Sequence, residues 1–386
     1  MVAERESKIL LVDDSFHSMQ HINSILNDAG YSTVTSLNGY NSLSYLIKEK
    51  FDLIILDLIG SEFTGYDVLA QIMEKGRNAD ARVVFLTETD DHGNLMQGVR
   101  YPNVDFVRKP FRREELLTRV GNQLAMLRSK EESRANKNLR DSIKYAFRIQ
   151  KSMLPSDEMM NTLFPDNFVM NWPLDVVSGD FYWARKIDDV IVFSVADCSG
   201  HGVPGAFLSV LGISLLNELS MKSNLDYPHV IMDNLRYKFK ESLERSGIDS
   251  YFSEGIDMVI GMINTKTLKL YSAGAFNSLY HKRDGVITEI KGDRQPVGYY
   301  PVEKPFSHHE IQLQQGDHLY ISTDGIIDQV GGENGKKLQG WRFKNWLKEM
   351  EGLAIVEQEE LMIQKACSWK GSYGQLDDIL IMGVGV

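Results

Sequence analysis

Short apolar runs alternate with amphipathic helical patterns in the first third of the chain. The runs predict five strands, at Lys8 to Val12, Ser32 to Ser36, Leu53 to Leu56, Arg82 to Leu86 and Asp105 to Val107. Strands that alternate with helices in this way are typical of βαβ units, which form a parallel sheet. We therefore predict an α/β domain over residues 1–125.

A different pattern follows after residue 155, where apolar runs rich in β-branched and aromatic residues predict longer strands. These runs are Val190 to Ala196, Met258 to Ile263, Lys269 to Ser272, His318 to Ser322 and Ile379 to Val384. Helical patterns separate them, at Val203 to Ser220, Tyr227 to Ser246, Trp341 to Met350 and Val356 to Ser368. Strands and helices in blocks favour stacked layers around a mostly antiparallel pair of sheets. We assign residues 156–386 to this second domain.

A helical pattern connects the two domains. From Arg112 to Ser152 there is no proline, and Gly121 is the only glycine. Apolar residues follow the three-four spacing of a packed helix at Leu117, Val120, Leu124 and Leu127. Because the stretch from Ser129 to Arg140 is polar, two interpretations stay open: a helix followed by a solvated linker, or one continuous helix that pairs in a dimer. We predict a helical linker over residues 126–155, through which a change in the first domain could reach the second.

Composition narrows the class of protein. The chain has 386 residues and a net charge of −11, with 43% hydrophobic and 25% charged residues, which is ordinary for a soluble protein of two or three domains. The acidic balance argues against a nucleic-acid binder, which normally has a basic face. We find no signal peptide and no apolar run of the ~18 residues that span a bilayer. We therefore expect a cytoplasmic protein that binds neither nucleic acid nor membrane.

Polar residues follow the strands of the first domain at the points where they end. Asp13 and Asp14 follow the first strand, Asp57 ends the third, Thr87 the fourth, and Lys109 follows the fifth. Ligands of parallel sheets bind at these carboxyl ends. The three carboxylates can hold one Mg²⁺, Asp57 can form an acyl phosphate, and Lys109 can pair with the phosphoryl group.

This arrangement resembles the receiver domain of two-component response regulators. The resemblance implies a doubly wound, flavodoxin-like (βα)5 fold with strand order 2-1-3-4-5. It implies that Asp57 is the phosphoacceptor, that Asp13, Asp14 and Asp57 bind Mg²⁺, and that Thr87, Lys109 and Phe106 are the switch residues. It also implies a cis peptide bond before Pro110 and a sensor histidine kinase as phosphodonor.

Four acidic segments of the second domain predict a second metal site. They are VVSGDFYW, VADCSGHGVPG, YISTDGIID and QLDDILIMGV, and each places an aspartate at the edge of an apolar run. The aspartates are Asp180, Asp197, Asp324, Asp377 and Asp378. Hard divalent cations need several carboxylate oxygens, and two such ions can activate a water for attack on phosphorus. No cysteine–histidine nucleophile stands out as an alternative.

The second domain resembles the bacterial branch of the PP2C-like metal-dependent phosphatases, typified by sporulation and stress-response phosphatases. The resemblance rests on IQKSMLP, SGDFYW, ADCSGHGVPGAF, KGDRQPVG, STDGIID and the final DDI. It implies an α/β/β/α sandwich that binds two or more Mn²⁺ or Mg²⁺ ions. Asp180, Asp197, Asp324 and Asp377 would be catalytic; Asp197 would bridge the metals, and the Cys198 carbonyl and Asp378 would be further ligands.

Together the two resemblances imply a response-regulator protein phosphatase controlled by phosphorylation of Asp57. They imply a phosphorylated STAS-type anti-sigma-factor antagonist as substrate, and we expect a homodimer. Whether phosphorylation activates or inhibits stays open. The alternatives are a non-catalytic partner-switching adaptor that binds a sigma or anti-sigma regulator, and a phosphatase of small metabolites. A DNA-binding response regulator would need a basic helix-turn-helix, and we see none.

Overall fold

The computed structural model describes residues 7–37, 39–58, 64–74, 77–88, 101–221, 227–244 and 254–386. The chain divides into two compact units, Met1–Leu139 and Arg140–Val386. Each unit has apolar cores of its own.

The first unit is built around a five-stranded parallel sheet. Its strands are β1 (Lys8–Val12), β2 (Ser32–Ser36), β3 (Leu53–Asp57), β4 (Arg82–Thr87) and β5 (Val104–Arg108). They lie in the order β2-β1-β3-β4-β5, which confirms the predicted receiver topology. Each observed strand bound lies within one residue of the bound expected from the sequence.

Helices cover both faces of this sheet. They are α1 (Phe16–Asp28), α2 (Gly39–Lys48), α3 (Gly65–Glu74) and the first part of α4 (Arg113–Met153). Alternate side chains of β1 point to opposite faces, so that Ile9 packs with α1 and α4 while Leu10 packs with α2 and α3. Burial on both faces explains why the three inner strands, β1, β3 and β4, are largely apolar. Residues 89–100, between β4 and β5, lie outside the described part.

Helix α4 is continuous over 41 residues. Its first turns bury Leu116, Val120 and Leu124 in the apolar cluster of the first unit. Farther along, the side chains are largely exposed, including the large apolar residues Leu139 and Tyr145. Of the two interpretations of the linker, the structure therefore has the continuous helix, whereas its pairing in a dimer stays a prediction.

The second unit contains two antiparallel sheets. In chain order the described strands are β6 (Asn167–Trp172), β7 (Phe181–Ile187), β8 (Val190–Cys198), β9 (Gly255–Asn264), β10 (Lys269–Ala275), β11 (Leu279–Arg283), β12 (Val286–Ile290), β13 (Val297–Gly298), β14 (His309–Gln312), β15 (His318–Ser322), β16 (Val330–Gly331), β17 (Lys336–Lys337) and β18 (Ile379–Gly385). One sheet has the order β14-β10-β9-β8-β7 with β13 beside β9, and the other has the order β12-β11-β15-β18-β6. The strands β16 and β17 form a separate two-stranded ribbon.

The described helices of the second unit are α5 (Asp157–Leu163), α6 (Gly202–Leu219), α7 (Pro228–Glu244), α8 (Asp324–Asp328), α9 (Gly340–Glu349) and α10 (Ile355–Lys370). Met160 and Leu163 of α5 pack in the cluster between the two sheets, whereas the longer helices cover the outer faces. Helices α6 and α7 cover the first sheet, where Leu216 joins the cluster of Phe181. Helices α9 and α10 cover the second, where the ring of Phe343 lies 5.6 Å from that of Tyr280, and side chains such as Phe193 fill the space between the sheets. The predicted α/β/β/α sandwich is confirmed.

Helix α6 corrects one expectation from the sequence. Among the described residues it is the one helix long and apolar enough to cross a membrane, although no such run was expected. Half of this helix is buried, and Ile213, Leu216 and Leu219 pack in the core against the first sheet. A core helix passes the same test, so this composition is weak support for a membrane span.

Candidate metal centres

Three carboxylates gather at the carboxyl ends of β1 and β3. Asp13, Asp14 and Asp57 each place one oxygen within 4.8 Å of the others. The Nζ atom of Lys109 donates to Asp57 Oδ2 at 2.7 Å and to Asp13 Oδ2 at 3.3 Å. Burial alone would lower the pKa of Lys109, but the hydrogen bond and charge of Asp57, with those of Asp13, raise it. The sheet edge thus holds three acids and one permanent cation, as a Mg²⁺ and phosphoryl site needs.

Neighbouring side chains hold this cluster in place. Asp13 is buried and accepts hydrogen bonds from the Ser15 backbone N–H (2.8 Å) and the Ser18 hydroxyl (2.6 Å).

The predicted switch residues lie on the neighbouring strands β4 and β5. The Thr87 hydroxyl donates to the Glu88 carbonyl at 3.2 Å, and the ring of Phe106 lies 5.7 Å from that of Phe85. The peptide bond before Pro110 is cis, as the resemblance implied.

Antiparallel pairing brings the acidic segments of the second unit to one edge. Asp180 precedes β7 and Asp197 is near the end of β8, while Phe181 pairs with Ala196. In the same way Asp324 follows β15 and Asp377 precedes β18. Because antiparallel neighbours run in opposite directions, the start of one strand lies beside the end of the next. Residues far apart in the chain therefore reach a common site.

Asp197 lies at the centre of this site. Its carboxyl group is within hydrogen-bonding reach of both Asp180 and Asp324. Asp180 is buried, Asp197 is half-buried, and Asp324 and Asp377 are exposed, so the group runs from a closed floor to an open rim. Among the described residues, no three of these carboxylates come within 4.8 Å of one another, unlike those of the first unit. Asp197 thus lies between two other acids, and its predicted role as the ligand that bridges two metals stays a prediction.

The electrostatics of this group fit a divalent cation. Burial, with repulsion from Asp180 and Asp324, raises the pKa of Asp197 to about 11. Burial also raises the pKa of Asp180 well above its ordinary value; a hydrogen bond from Thr323 opposes this shift, and the charges of Asp378 and Asp377 add to it. Carboxylates that are both desolvated and crowded are stabilised in the ionised form by a bound cation. The residues therefore fit a site for divalent metal.

Asp378 is tied to the loop that precedes Asp180. The side chain is buried, and its two oxygens accept hydrogen bonds from the backbone N–H groups of Leu174 (2.6 Å) and Gly179 (2.7 Å). Asp377 in turn accepts the N–H of Asp378 at 2.8 Å. The contacts of Asp378 thus support the loop, and its predicted role as a ligand stays a prediction.

The backbone of Cys198 lies against the loop that precedes Asp180, and the predicted role of its carbonyl as a metal ligand stays a prediction. The side chain is buried, and burial followed by the charge of Asp197 raises the pKa of its thiol well above its ordinary value, which does not suit a nucleophile. A Cβ atom at Gly179 would lie 3.1 Å from the Cys198 carbonyl oxygen and 2.6 Å from that of Gly200. Glycine at position 179 therefore allows the Asp180 loop to pack directly on the backbone that follows Asp197.

Two residues of the site were missed from the sequence. Thr323 is fully buried; its hydroxyl donates to Asp180 Oδ2 at 2.7 Å and accepts the Leu380 N–H at 3.0 Å. Asp257 pairs with Asp197 across β8 and β9, so their side chains lie on the same face. Burial and the charge of Asp324 raise the pKa of Asp257 to about 7. The sequence does contain a signal for Asp257, because this aspartate interrupts an otherwise apolar run in EGIDMVIG.

The fold and the two acidic sites define a receiver domain followed by a PP2C-type phosphatase domain. The family model described as Stage II sporulation protein E (SpoIIE) matches residues 187–386, and that of the response regulator receiver domain matches residues 9–121. The chain belongs to the SpoIIE family. Its second unit is thus a metal-dependent serine/threonine phosphatase domain.

Relatives of known structure or curated description match each half. The SiaA-PP2C domain of Pseudomonas aeruginosa is 31% identical with a TM-score of 0.60, over 65% of this chain and 98% of that chain. The transcriptional regulatory protein DltR of Streptococcus agalactiae serotype III (strain NEM316) is 30% identical over 29% of this chain and 50% of its own length. PcoR of Escherichia coli is 30% identical over 32% of this chain and 53% of its own length. The chain spans about half the length of these curated relatives.

Proposed function

We propose that this chain is a response-regulator phosphatase that removes phosphate from phosphoserine or phosphothreonine on a protein, under the control of phosphorylation at Asp57. The observation that carries the proposal is the position of Asp197 between Asp180 and Asp324, below an open rim. We divide the protein into a receiver domain (1–125), a helical linker (126–155) and a phosphatase domain (156–386).

Asp180, Asp197, Asp324 and Asp377, with the Cys198 carbonyl, would hold two Mn²⁺ or Mg²⁺ ions, which when bound supply an activated water and neutralise charge on the phosphate. The chain's own residues prepare the site. Thr323 orients Asp180 through a 2.7 Å hydrogen bond. Helix α6 begins at Gly202, shortly after Asp197, and the positive end of a helix favours an anionic substrate.

In the receiver domain, Asp57 would accept the phosphoryl group from a sensor histidine kinase while Asp13 and Asp14 hold Mg²⁺. Lys109 already lies 2.7 Å from Asp57 Oδ2, so it is placed to pair with the new phosphate. Thr87 and Phe106 would then change position as the switch residues. Helix α4 begins in the receiver and continues into the second unit, which supports it as the element that carries the change.

The proposed substrate is a phosphorylated STAS-type anti-sigma-factor antagonist, and the proposed assembly is a cytoplasmic homodimer. The support for the substrate is the resemblance of the motifs to stress-response phosphatases. The support for the dimer is the exposure of Leu139, Tyr145 and Ile149 on α4, because unpaired apolar side chains on a long helix favour a helical partner.

Phosphate release from a phosphoserine STAS-domain protein tests the proposal, with Mn²⁺ or EDTA and with Asp197→Ala as the inactive variant. We expect Mn²⁺-dependent release that the variant lacks, and a change in rate when beryllofluoride occupies the receiver. Release that is equal with and without beryllofluoride would refute control by Asp57. Binding of the STAS-domain protein without any phosphate release, in either receiver state, would favour the partner-switching adaptor. Much faster turnover of small phosphate esters would favour a metabolic phosphatase.

A further inference from the structure

The last turn of α4 is hydrogen-bonded to the loop that precedes Asp180. Gln150 belongs to this turn, and its side chain is only 6% exposed. Its Nε2 atom donates to the Ser178 carbonyl at 2.6 Å, and its Oε1 atom accepts the Ser178 N–H at 3.2 Å. One side-chain amide thus satisfies both backbone groups of a single residue, as a neighbouring strand would.

Ser178 is in turn hydrogen-bonded to Asp180, the first acid of the phosphatase site. Its hydroxyl accepts the backbone N–H of Asp180 at 3.0 Å. The next residue, Gly179, donates its N–H to Asp378 at 2.7 Å. Gln150 and Asp378 thus hold two adjacent residues of the loop, directly before Asp180.

The same amide also reaches the segment that carries Asp197. Gln150 Nε2 donates to the Ser209 hydroxyl at 2.7 Å, and Ser209 is fully buried in α6. Helix α6 begins at Gly202, directly after the Asp197 loop, and a Cβ atom at Gly205 would lie only 3.0 Å from the Gly179 Cα. Gln150 thus joins two segments, one carrying Asp180 and the other following Asp197.

We propose that Gln150 is a positioning residue, through which the end of α4 sets the distance between Asp180 and Asp197 and hence the metal affinity of the phosphatase site. A regulatory role for Gln150 rests on the proposed function, since α4 is there the helix that transmits phosphorylation of Asp57 to the phosphatase domain. Movement of the α4 terminus away from Ser178 releases the loop, and the acids then lose their spacing. Residues that orient metal ligands typically change metal affinity by about 10–100-fold when they are removed.

The first test uses metal-free full-length protein and hydrogen–deuterium exchange. In Gln150→Met, which keeps the volume but loses the amide, we expect the amides of residues 178–180 to exchange about 3–10-fold faster, since a hydrogen bond of typical strength is lost. Arg148→Ala is the matched control, because Arg148 is exposed on the same turn. Equal exchange in Gln150→Met and wild type would overturn the proposal.

The second test is a Mn²⁺ titration in which binding is measured by calorimetry and activity by phosphate release. We expect Gln150→Met to need at least about tenfold more Mn²⁺ for half-maximal activity and to approach wild-type turnover when Mn²⁺ is saturating. A variant that is merely less stable would unfold at lower temperature but keep its Mn²⁺ affinity, and this result would contradict the proposal. Ser209→Ala removes one of the three hydrogen bonds, and we expect a smaller shift in the same direction if Gln150→Met does not fold.

The two proposals fail in distinguishable ways. If the wild-type protein hydrolyses no phosphoprotein, the proposed function fails, whereas the exchange experiment still reports on Gln150. If hydrolysis is robust but exchange and Mn²⁺ affinity do not change in Gln150→Met, the positioning role fails and the enzyme stands.

Discussion

Replacement of Thr323 by valine removes one hydroxyl from the floor of the phosphatase site without changing its shape. The hydroxyl lies 2.7 Å from Asp180 Oδ2 and 3.0 Å from the Leu380 backbone nitrogen, and Thr323 is fully buried. A buried polar group that loses its partner costs about 1–3 kcal/mol, so the loss of two bonds predicts a decrease of about 2–4 kcal/mol in the free energy of unfolding. For a unit of this size this corresponds to a melting temperature lower by roughly 5–15 °C.

The adjacent residue provides a matched control. Ser322 is also buried, but its hydroxyl has no hydrogen-bond partner among the described residues. We therefore expect Ser322→Ala to change stability little, although it removes the same chemical group one position away. Thermal unfolding in EDTA compares the two variants, and a Mn²⁺ titration should show about 10–100-fold weaker binding for Thr323→Val alone. If both variants melt within a degree of each other, the assigned role of the Thr323–Asp180 hydrogen bond is wrong.

Three further variants test other parts of the structure. Asp13→Asn should slow Mg²⁺-dependent phosphorylation of the receiver by at least about tenfold on a phosphate-affinity gel, and an unchanged rate would exclude Asp13 as a ligand. Asp317→Asn should lower stability on the order of 2 kcal/mol at pH 7 in urea unfolding, because hydrogen bonds, chiefly from Arg283, overcome the effect of burial and lower the pKa of Asp317 to about 2. A lowered carboxyl pKa stabilises the fold above about pH 4 and loses this effect as the pH falls towards 2, so the difference between variant and wild type should shrink at pH 3. Gly205→Ala would place a Cβ atom 2.2 Å from the Gly200 carbonyl oxygen, so we expect about 1–3 kcal/mol lower stability in thermal unfolding together with weaker Mn²⁺ activation; normal values for both would contradict the close packing.

Much of the fold could be predicted from the sequence because its central strands are buried. Strands β1, β3 and β4 of the receiver and strands such as β8, β15 and β18 are largely apolar runs, so their positions were recognisable. Several edge strands of the second unit, such as β14, were not. In β14 every residue is exposed or half-buried, and its sequence HEIQ has no apolar run. Because an edge strand buries little side-chain area, its position depends on its partner β10 more than on its own sequence.

The ligand candidates were visible in the sequence, whereas the residues that hold them were not. Aspartates beside glycine at the edges of apolar runs stand out, as Asp197 and Asp324 do. The supporting contacts join distant positions: Gln150 and Ser178 are 28 residues apart, and Thr323 and Asp180 are 143 apart. A glutamine at the end of a helix or a threonine before an aspartate has many ordinary roles. Only the packed structure shows which distant group each one contacts.

The central claim is that Asp197 and its neighbours form a metal-dependent phosphatase site. Its most direct test is Mn²⁺-dependent phosphate release from a phosphoserine protein by the full chain, in which Asp197→Asn is compared with Asp188→Asn. Asp188 is an exposed turn residue at the opposite end of the β7–β8 hairpin, so its replacement controls for the loss of one carboxylate from the same hairpin. We expect Asp188→Asn to retain the wild-type rate and Asp197→Asn to lose metal-dependent release. Retained activity in Asp197→Asn, or release that is unaffected by EDTA, would contradict the account.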